Sequence, residues 1–512
     1  MIRQSDVVIM GGGLAGLTLA LQLRQTLPST GVIIVDQHFY PVPETTFKVG
    51  ESMVEVSSWY LREVLGLGTY LLQSHLPKFG LRFFMSDGGN SDLGQRPEYG
   101  LMTLPERPTN LNMGFPGVHL TTYNVDRGRL ENHLLKRCLE VGVEVFQGCK
   151  VKSVNLDDPH EIAINGDILV SKLKARWLID TTGRAGFLAR QLNLRRPQGH
   201  HVNAVWFRLK GRVDPDRMTN DVNFHCRTFP DLRWLSTNHF MGAGYWVWLI
   251  PLPDEATSVG IMTDPSVHPF EQINSFEGAI TWLIEHEPSL ASAITSLPRL
   301  DFRILKAQSY NSRHTLSTNR WALCGESAFY TDALYSPGGD FIAVGNTLVT
   351  QMIEADYASD RTRLSILVRF GEQLLAGMFD HYMEIYRGCY QLMGKPGVMM
   401  QKVAWDTAVY FAYNVLLFRN GSFCEPNFHR VIGKENARLK ILQHHMTSHF
   451  KTYDDCDMSY SGKFVDQAQV APVHSLYLSS EKPLEGEALK ERLNINLEIL
   501  EYFANNIVKL VS

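Results

Sequence analysis

The stretch DVVIMGGGLAGLTLALQLRQ, Asp6 to Gln25, switches within a few residues from a short β-branched apolar run to a helical hydrophobic period, with glycines at the switch. That pattern predicts a buried strand, a tight turn and a helix. Gly11, Gly13 and Gly16 stand at GxGxxG spacing around Leu14 and Ala15, so the backbone can come close to a pyrophosphate held at the helix N-terminus. GVIIVDQ, Gly31 to Gln37, supplies a second buried strand and completes a βαβ unit of a parallel sheet packed on helices. Asp36 ends that strand twenty residues past Gly16, where a carboxylate can accept hydrogen bonds from ribose hydroxyls. Strand, turn, helix and acid together predict a bound adenine dinucleotide.

At 512 residues the chain has room for two or three structural units. Its net charge of -4, from 49 basic and 53 acidic residues, argues against a nucleic-acid partner, which would want a basic face. Seven scattered cysteines, odd in number and without metal-ligand spacing, suggest a reducing compartment with neither disulfides nor zinc. No run approaches the ~20 apolar residues of a membrane span, so a cytoplasmic protein is expected. RGRLENHLLKRCLEVG, Arg127 to Gly142, reads as an amphipathic helix, and His201 to Asp264 alternates as a β-rich segment should. From about Gly345 the period is helical, as in AWDTAVYFAYNVLLF, Ala404 to Phe418, which is read as core helix.

Three stretches carry a resemblance. VDRGRLENHLL (Val125 to Leu135), LIDTTGRAG (Leu178 to Gly186) and CGESAFYTDALYSPGG (Cys324 to Gly339) are similar to segments of the FAD-binding fold in the aromatic hydroxylase and halogenase superfamily. The resemblance implies an α/β fold with a Rossmann-like, GR2-type FAD-binding domain. It would be assembled discontinuously from residues 1–80, 115–190 and 300–350, with a β-rich substrate region from 81–114 and 191–299 and a helical C-terminal region over 351–512. It further implies FAD contacts from Arg127, Asp180, Gly325 and Glu326, the last standing where hydroxylases usually carry aspartate.

Within that superfamily, GYWVWLIPL puts Trp246 and Trp248 on one face of a strand, where two aromatics are more often core than site. WVWLIP, however, matches the WxWxIP signature of flavin-dependent halogenases, whose tryptophans are held to wall the flavin off from the organic substrate. Lys78 in KFGLRF resembles the segment that carries the catalytic lysine of that family, and a buried ammonium can hold and polarise hypohalous acid. FKVGES, Phe47 to Ser52, is similar to the family's strap over the flavin, which implies cofactor-facing roles for Lys48, Gly50, Glu51 and Ser52. Ser336, Pro337, Gly338 and Gly339 fall in the halide and flavin loop, and Pro337 cannot donate the amide the family would use there.

Tyr335 occupies the position at which tryptophan halogenases carry a glutamate. The resemblance therefore implies a halogenase of the phenol or pyrrole type. It would use FADH2, O2 and chloride or bromide, and act on an aromatic substrate that is free or tethered to a carrier protein. The single glycine fingerprint leaves flavin reduction to a separate NAD(P)H-dependent reductase. An FAD-dependent aromatic hydroxylase is the alternative enzyme, and a non-catalytic flavin-binding protein the alternative outside enzymes. No residue is identified as the base that takes the ring proton.

Overall fold

The computed structural model describes residues 1–44, 48–86, 89–101, 121–166, 169–228, 232–452 and 462–511. Phe47 of the strap, Cys456 and residues 102–120 lie outside the described residues.

Val7 to Met10 are fully buried because the strand Ile2–Met10 is central in its sheet, with a parallel neighbour on either side. Val8 pairs with Ile33 of the strand Val32–Val35 and with Leu178 of Lys172–Asp180. Glu144–Phe146 extends the sheet beyond Val32–Val35, also in parallel. On the other side the long strand Lys172–Asp180 divides. Its first half pairs antiparallel with His160–Asn165, which in turn carries Lys150–Asn155, and its last three residues pair in parallel with Trp321–Leu323. The layer is thus a seven-stranded mixed sheet whose parallel centre holds the glycine turn at its carboxyl edge.

The second sheet has eight strands, in the order Arg303–Ser312, Arg195–Lys210, Ala256–Thr263, Tyr245–Leu252, Thr237–Gly242, Leu81–Phe84, Glu98–Gly100 and Phe464–Asp466. Arg303–Ser312 joins this sheet by pairing with Arg195–Lys210, and Phe464–Asp466 brings an edge strand from the otherwise helical end of the chain. Pleating sorts Tyr245–Leu252 between two cores. Trp246, Trp248 and Ile250 face the main core shared with the first sheet and the C-terminal helices. Tyr245, Val247 and Leu249 face a smaller core with Phe207, Phe240, Val259 and Trp282.

Lys78 ends a short strand, Leu76–Lys78, that among the described residues pairs only with Thr122–Asn124. The helices Gly338–Tyr357, Arg361–Tyr386, Pro396–Val409 and Gly486–Val511 bury Val349, Leu375, Trp405 and Leu493 in the main core. Among the described residues no helix is long and apolar enough to cross a membrane.

Candidate active site

A cavity of about 810 Å³ runs from the glycine turn to the tryptophan strand. Gly13 caps the helix Leu14–Thr26 without any side-chain hydrogen bond, and a Cβ on Gly13 would meet nothing within 4 Å. The first-turn amides of that helix, with Leu14 and Ala15, therefore face open space in the cavity wall, the arrangement that holds a phosphate. Gly11 has φ +108°, and a Cβ there would sit 2.5 Å from the carbonyl oxygen of Thr181. Asp36 accepts from the amide of His38 at 2.7 Å, from the Gly12 amide, and pairs with His38 Nδ1 at 2.9 Å. Burial pushes its carboxyl up, but the hydrogen bonds from His38 and Gly12 outweigh burial and hold it below the usual carboxylate range. It is an anion at neutral pH, ready to accept from ribose hydroxyls.

At mid-cavity Lys48 and Arg127 both pair with buried Glu131, the second through Nη2 at 2.6 Å. Arg127 Nη1 also donates to the carbonyl of Val49 at 2.5 Å, which ties the strap to the helix Arg127–Glu140. Gly50, at φ +93°, leaves room for this guanidinium: a Cβ would lie 2.7 Å from Nη1. Arg127 Nε is buried without an acceptor, a donor that an anionic pyrophosphate would satisfy. Gly325, at φ +64°, brings its turn against Ala15 and Ile342, and Glu326 beside it lies 3.7 Å from Arg184. Open glycine amides, an orphaned guanidinium nitrogen, an ionised Asp36 and a cavity of this length fit FAD, which Gly11, Gly13, Asp36, Arg127 and Gly325 would hold.

Two residues expected at the cofactor stand elsewhere. Asp180 is fully buried and accepts from Thr182 N at 2.9 Å, Thr182 Oγ1 at 2.6 Å and Leu188 N at 2.7 Å, so its carboxylate is spent on the turn that presents Thr181 and Thr182 to the cavity. Gly16 does not reach the cavity wall either. A Cβ there would collide with the carbonyl of Gly11, so it serves the close packing of helix on turn.

At the far end Trp246 and Trp248 line the cavity with ring centroids 5.7 Å apart and planes at 46°. Each indole N–H is tethered. Trp246 Nε1 donates to Tyr390 at 3.0 Å, and Tyr390 donates to Asp332 at 2.9 Å. Trp248 Nε1 donates to Ser258 at 3.2 Å, whose hydroxyl donates to Glu51 at 2.8 Å. Burial lifts Glu51 to about 7. Pro337 caps the helix Gly338–Tyr357, so the amides of Gly338 and Gly339 have no intrahelical acceptor. Both glycines, with Ser336 and Pro337, line the cavity, and a Cβ on Gly338 would meet nothing within 4 Å. The two amides and the positive end of the helix offer an anion site without any contribution from Pro337.

Lys78 does not line this cavity. It lines a second one of about 340 Å³, together with Glu55, Phe83, Tyr335, Asp406 and Tyr410. Its buried Nζ donates to Ser52 Oγ at 3.1 Å and to the Met53 carbonyl at 2.5 Å, and Ser52 and Met53 are walls of the first cavity. The ammonium therefore stands at the partition between the two. Burial lowers its pKa to about 8, against the pull of Glu55 and Asp340 to raise it. Tyr335 and Ser336 both adopt left-handed backbone, φ 65° and 56°, a strained pair that sends the Tyr335 ring into the second cavity while Ser336 faces the first.

A family model described as an FAD binding domain matches residues 4–254. The flavin-dependent halogenase chlA of Dictyostelium discoideum is 25% identical over 445 residues, which cover 80% of this chain and 70% of that protein. A 1H-pyrrole-2-carbonyl-(peptidyl-carrier protein) chlorinase of Pseudomonas fluorescens is 25% identical over 346 residues, 65% of this chain and 72% of that one. The chain carries an FAD-binding domain and is similar over most of its length to flavin-dependent halogenases. The protein is an enzyme that binds FAD. Its fold is also that of the solved halogenase PltM in complex with phloroglucinol and FAD, with a TM-score of 0.65 at 17% identity over 98% of this chain and 96% of that one.

Sequence reasoning missed three acids of this site. Glu55 and Asp406 line the second cavity, and Asp340, which accepts from Ser57 N at 3.0 Å and Tyr410 at 2.8 Å, sits in the first turn of the helix that opens with Gly338. Burial raises Asp340 to about 7. The available signal was a lone acid inside an otherwise apolar run, as in VEVSSW and AWDTAV, a placement that is costly unless the acid is paired or functional.

Proposed function

We propose that this protein is a halogenase that acts on an electron-rich aromatic of the phenol or pyrrole type, free or carrier-bound, with Lys78 directing the halogen. The observation that carries the reading is the position of the Lys78 ammonium, bonded to the wall of the flavin cavity and exposed to the second one. FAD held by Gly11, Gly13, Asp36, Arg127 and Gly325 and reduced by a separate NAD(P)H-dependent reductase would supply, with O2, the oxidation of chloride or bromide to hypohalous acid. The Gly338 and Gly339 amides hold the halide. Trp246 and Trp248 bar the aromatic substrate from the flavin.

Lys78 then donates a hydrogen bond to the oxygen of hypohalous acid and gives up a proton as that oxygen leaves as water. The ring carbon takes the halogen, and the displaced ring proton passes to Glu55, the carboxylate whose charge acts most strongly on Lys78. Transfer from Glu55 back to Lys78 restores both groups. Burial raises Glu55 above the usual carboxylate range, which suits a base that must also release its proton.

Three features support the substrate class. Tyr335 replaces the acid of tryptophan halogenases, a cavity of about 340 Å³ suits a single small ring, and relatives carry names or ligands of this kind, a pyrrole-2-carbonyl chlorinase and a structure with phloroglucinol. The test is mass spectrometry of a panel of phenols, pyrroles and tryptophan incubated with enzyme, FAD, a flavin reductase, NADH and bromide. Bromine isotope doublets on phenols or pyrroles are expected. A gain of one oxygen would point to a hydroxylase, and bromination of tryptophan alone would overturn the substrate class.

A further inference from the structure

Lys402 and Asp406 lie one turn apart on the helix Pro396–Val409, both buried, with Nζ 2.6 Å from Asp406 Oδ2. The hydroxyl of Tyr335 donates to the same oxygen at 3.1 Å. Both donors thus fall on Oδ2. Asp406 Oδ1 is buried with no partner, and among the described residues lining the second cavity it is the one buried side-chain polar atom left so. Asp406 as a whole is only 7% exposed. A buried carboxylate oxygen in a folded protein has a donor, and an orphan of this kind in a cavity wall marks where a ligand donor belongs.

We propose that Asp406 Oδ1 accepts a hydrogen bond from the O–H or N–H of the aromatic substrate, making Lys402, Tyr335 and Asp406 the anchor of the second cavity. The proposal rests on the halogenase reading above and names the feature of the substrate that it requires. Tyr335 cannot serve as the acid its position carries in tryptophan halogenases, and Asp406, reached through the Tyr335 hydroxyl, returns a carboxylate to the same pocket from the C-terminal helices. Lys402 and Tyr335 fix the orientation of the carboxylate by occupying Oδ2, which leaves Oδ1 as the free acceptor. A phenol or pyrrole bound this way gains in two respects. Its ring is held at a fixed angle to Lys78 in the same cavity, and a carboxylate that accepts from its O–H or N–H pushes electron density into the ring and makes it a better nucleophile toward electrophilic halogen.

The test compares resorcinol with 1,3-dimethoxybenzene, which keeps the activated ring and lacks the donor. The ratio of kcat/KM for the two substrates is measured with bromide and divided by the rate ratio for free hypobromous acid in solution, which removes intrinsic reactivity. Wild-type enzyme is expected to favour resorcinol by at least about tenfold beyond the solution ratio. Asp406→Asn should lose most of that excess. The double variant Asp406→Leu with Lys402→Met exchanges the buried pair for apolar side chains of similar size, a change that folds tolerate, and it should lose the excess entirely. A role in folding alone would slow both substrates alike and leave the ratio where it was.

Calorimetric titration of resorcinol into the FAD-loaded enzyme, which needs no turnover, should give at least about tenfold weaker binding in the double variant. A wild type that brominates neither compound yet shows this difference in binding would count against the halogenase reading and leave the anchor standing. A double variant that keeps the excess preference and binds resorcinol as wild type does would overturn the anchor.

Discussion

The Nζ of Lys78 lies 2.5 Å from the carbonyl oxygen of Met53. Met53 lines the cavity that fits FAD and Lys78 lines the smaller one beside it, so this hydrogen bond, with the one to Ser52, joins the two chambers. In the proposed reaction a charged group in that position receives a small oxidised halide from one side and presents it to a ring on the other, while the tethered indoles of Trp246 and Trp248 would keep the ring itself away from the flavin.

The alkaline limb of the pH profile should belong to Lys78. Burial lowers its pKa to about 8, and the proposed reaction needs the ammonium, so kcat should fall as pH rises through about 8. Glu55 is the carboxylate that does most to keep the proton on Lys78, so Glu55→Gln should move this limb to lower pH. A pH–rate profile of the two proteins checks both the position of the limb and the direction of its shift.

Glu55→Gln should also slow turnover more than it weakens substrate binding. Loss of a positioned base costs on the order of a hundredfold or more in rate. Steady-state kinetics should place the loss in kcat, with KM for the aromatic substrate little changed and FAD absorbance intact.

A methyl group at the head of the helix Gly338–Tyr357 should weaken halide use. A Cβ on Gly338 would meet no protein atom within 4 Å, so Gly338→Ala can fold without a clash and would project its methyl into the cavity. Loss of one anion contact should raise KM for bromide on the order of tenfold. Titration of bromide at saturating aromatic substrate reads this directly.

Beneath the lysine strand a buried ion cluster makes a stability prediction. Glu98 accepts from Arg82 and holds Arg233 through two bonds of 2.8 and 3.0 Å, and all three side chains are fully buried. Glu98→Gln would take the counter-charge from buried Arg82 and leave Arg233 with Asp216 alone, with a loss of about 3–5 kcal/mol in urea unfolding. Burial pushes the Glu98 carboxyl up, but Arg82 and Arg233 outweigh it and hold it below the ordinary carboxylate value. Its contribution is therefore present above the ordinary carboxylate pKa and is lost only as pH falls below that value.

Much of the site was legible because its signals are local. The glycine turn, Asp36 and the alternation of Trp246 and Trp248 each depend on backbone geometry within a few residues, and the structure has the turn, the acid and the two-faced strand where that geometry requires them. Asp180 misled because an acid at a strand end can turn outward to a ligand or inward to its own turn, and only the positions of the Thr182 and Leu188 amides decide which. Asp406 and Glu55 were hidden because the roles proposed for them depend on neighbours far along the chain. Tyr335 is 71 positions from Asp406, and Lys78 reaches back 25 positions to Met53. The edge strand Phe464–Asp466 was missed for the same reason, since its partner Glu98–Gly100 lies on a distant segment.

The most direct test of the role of Lys78 is the yield of brominated phenol from FAD-loaded Lys78→Met, measured by mass spectrometry against wild type at matched flavin occupancy. The partition geometry predicts full FAD binding with bromination reduced by at least about a hundredfold. Bromination at the wild-type rate by the variant, with FAD in place, would contradict it.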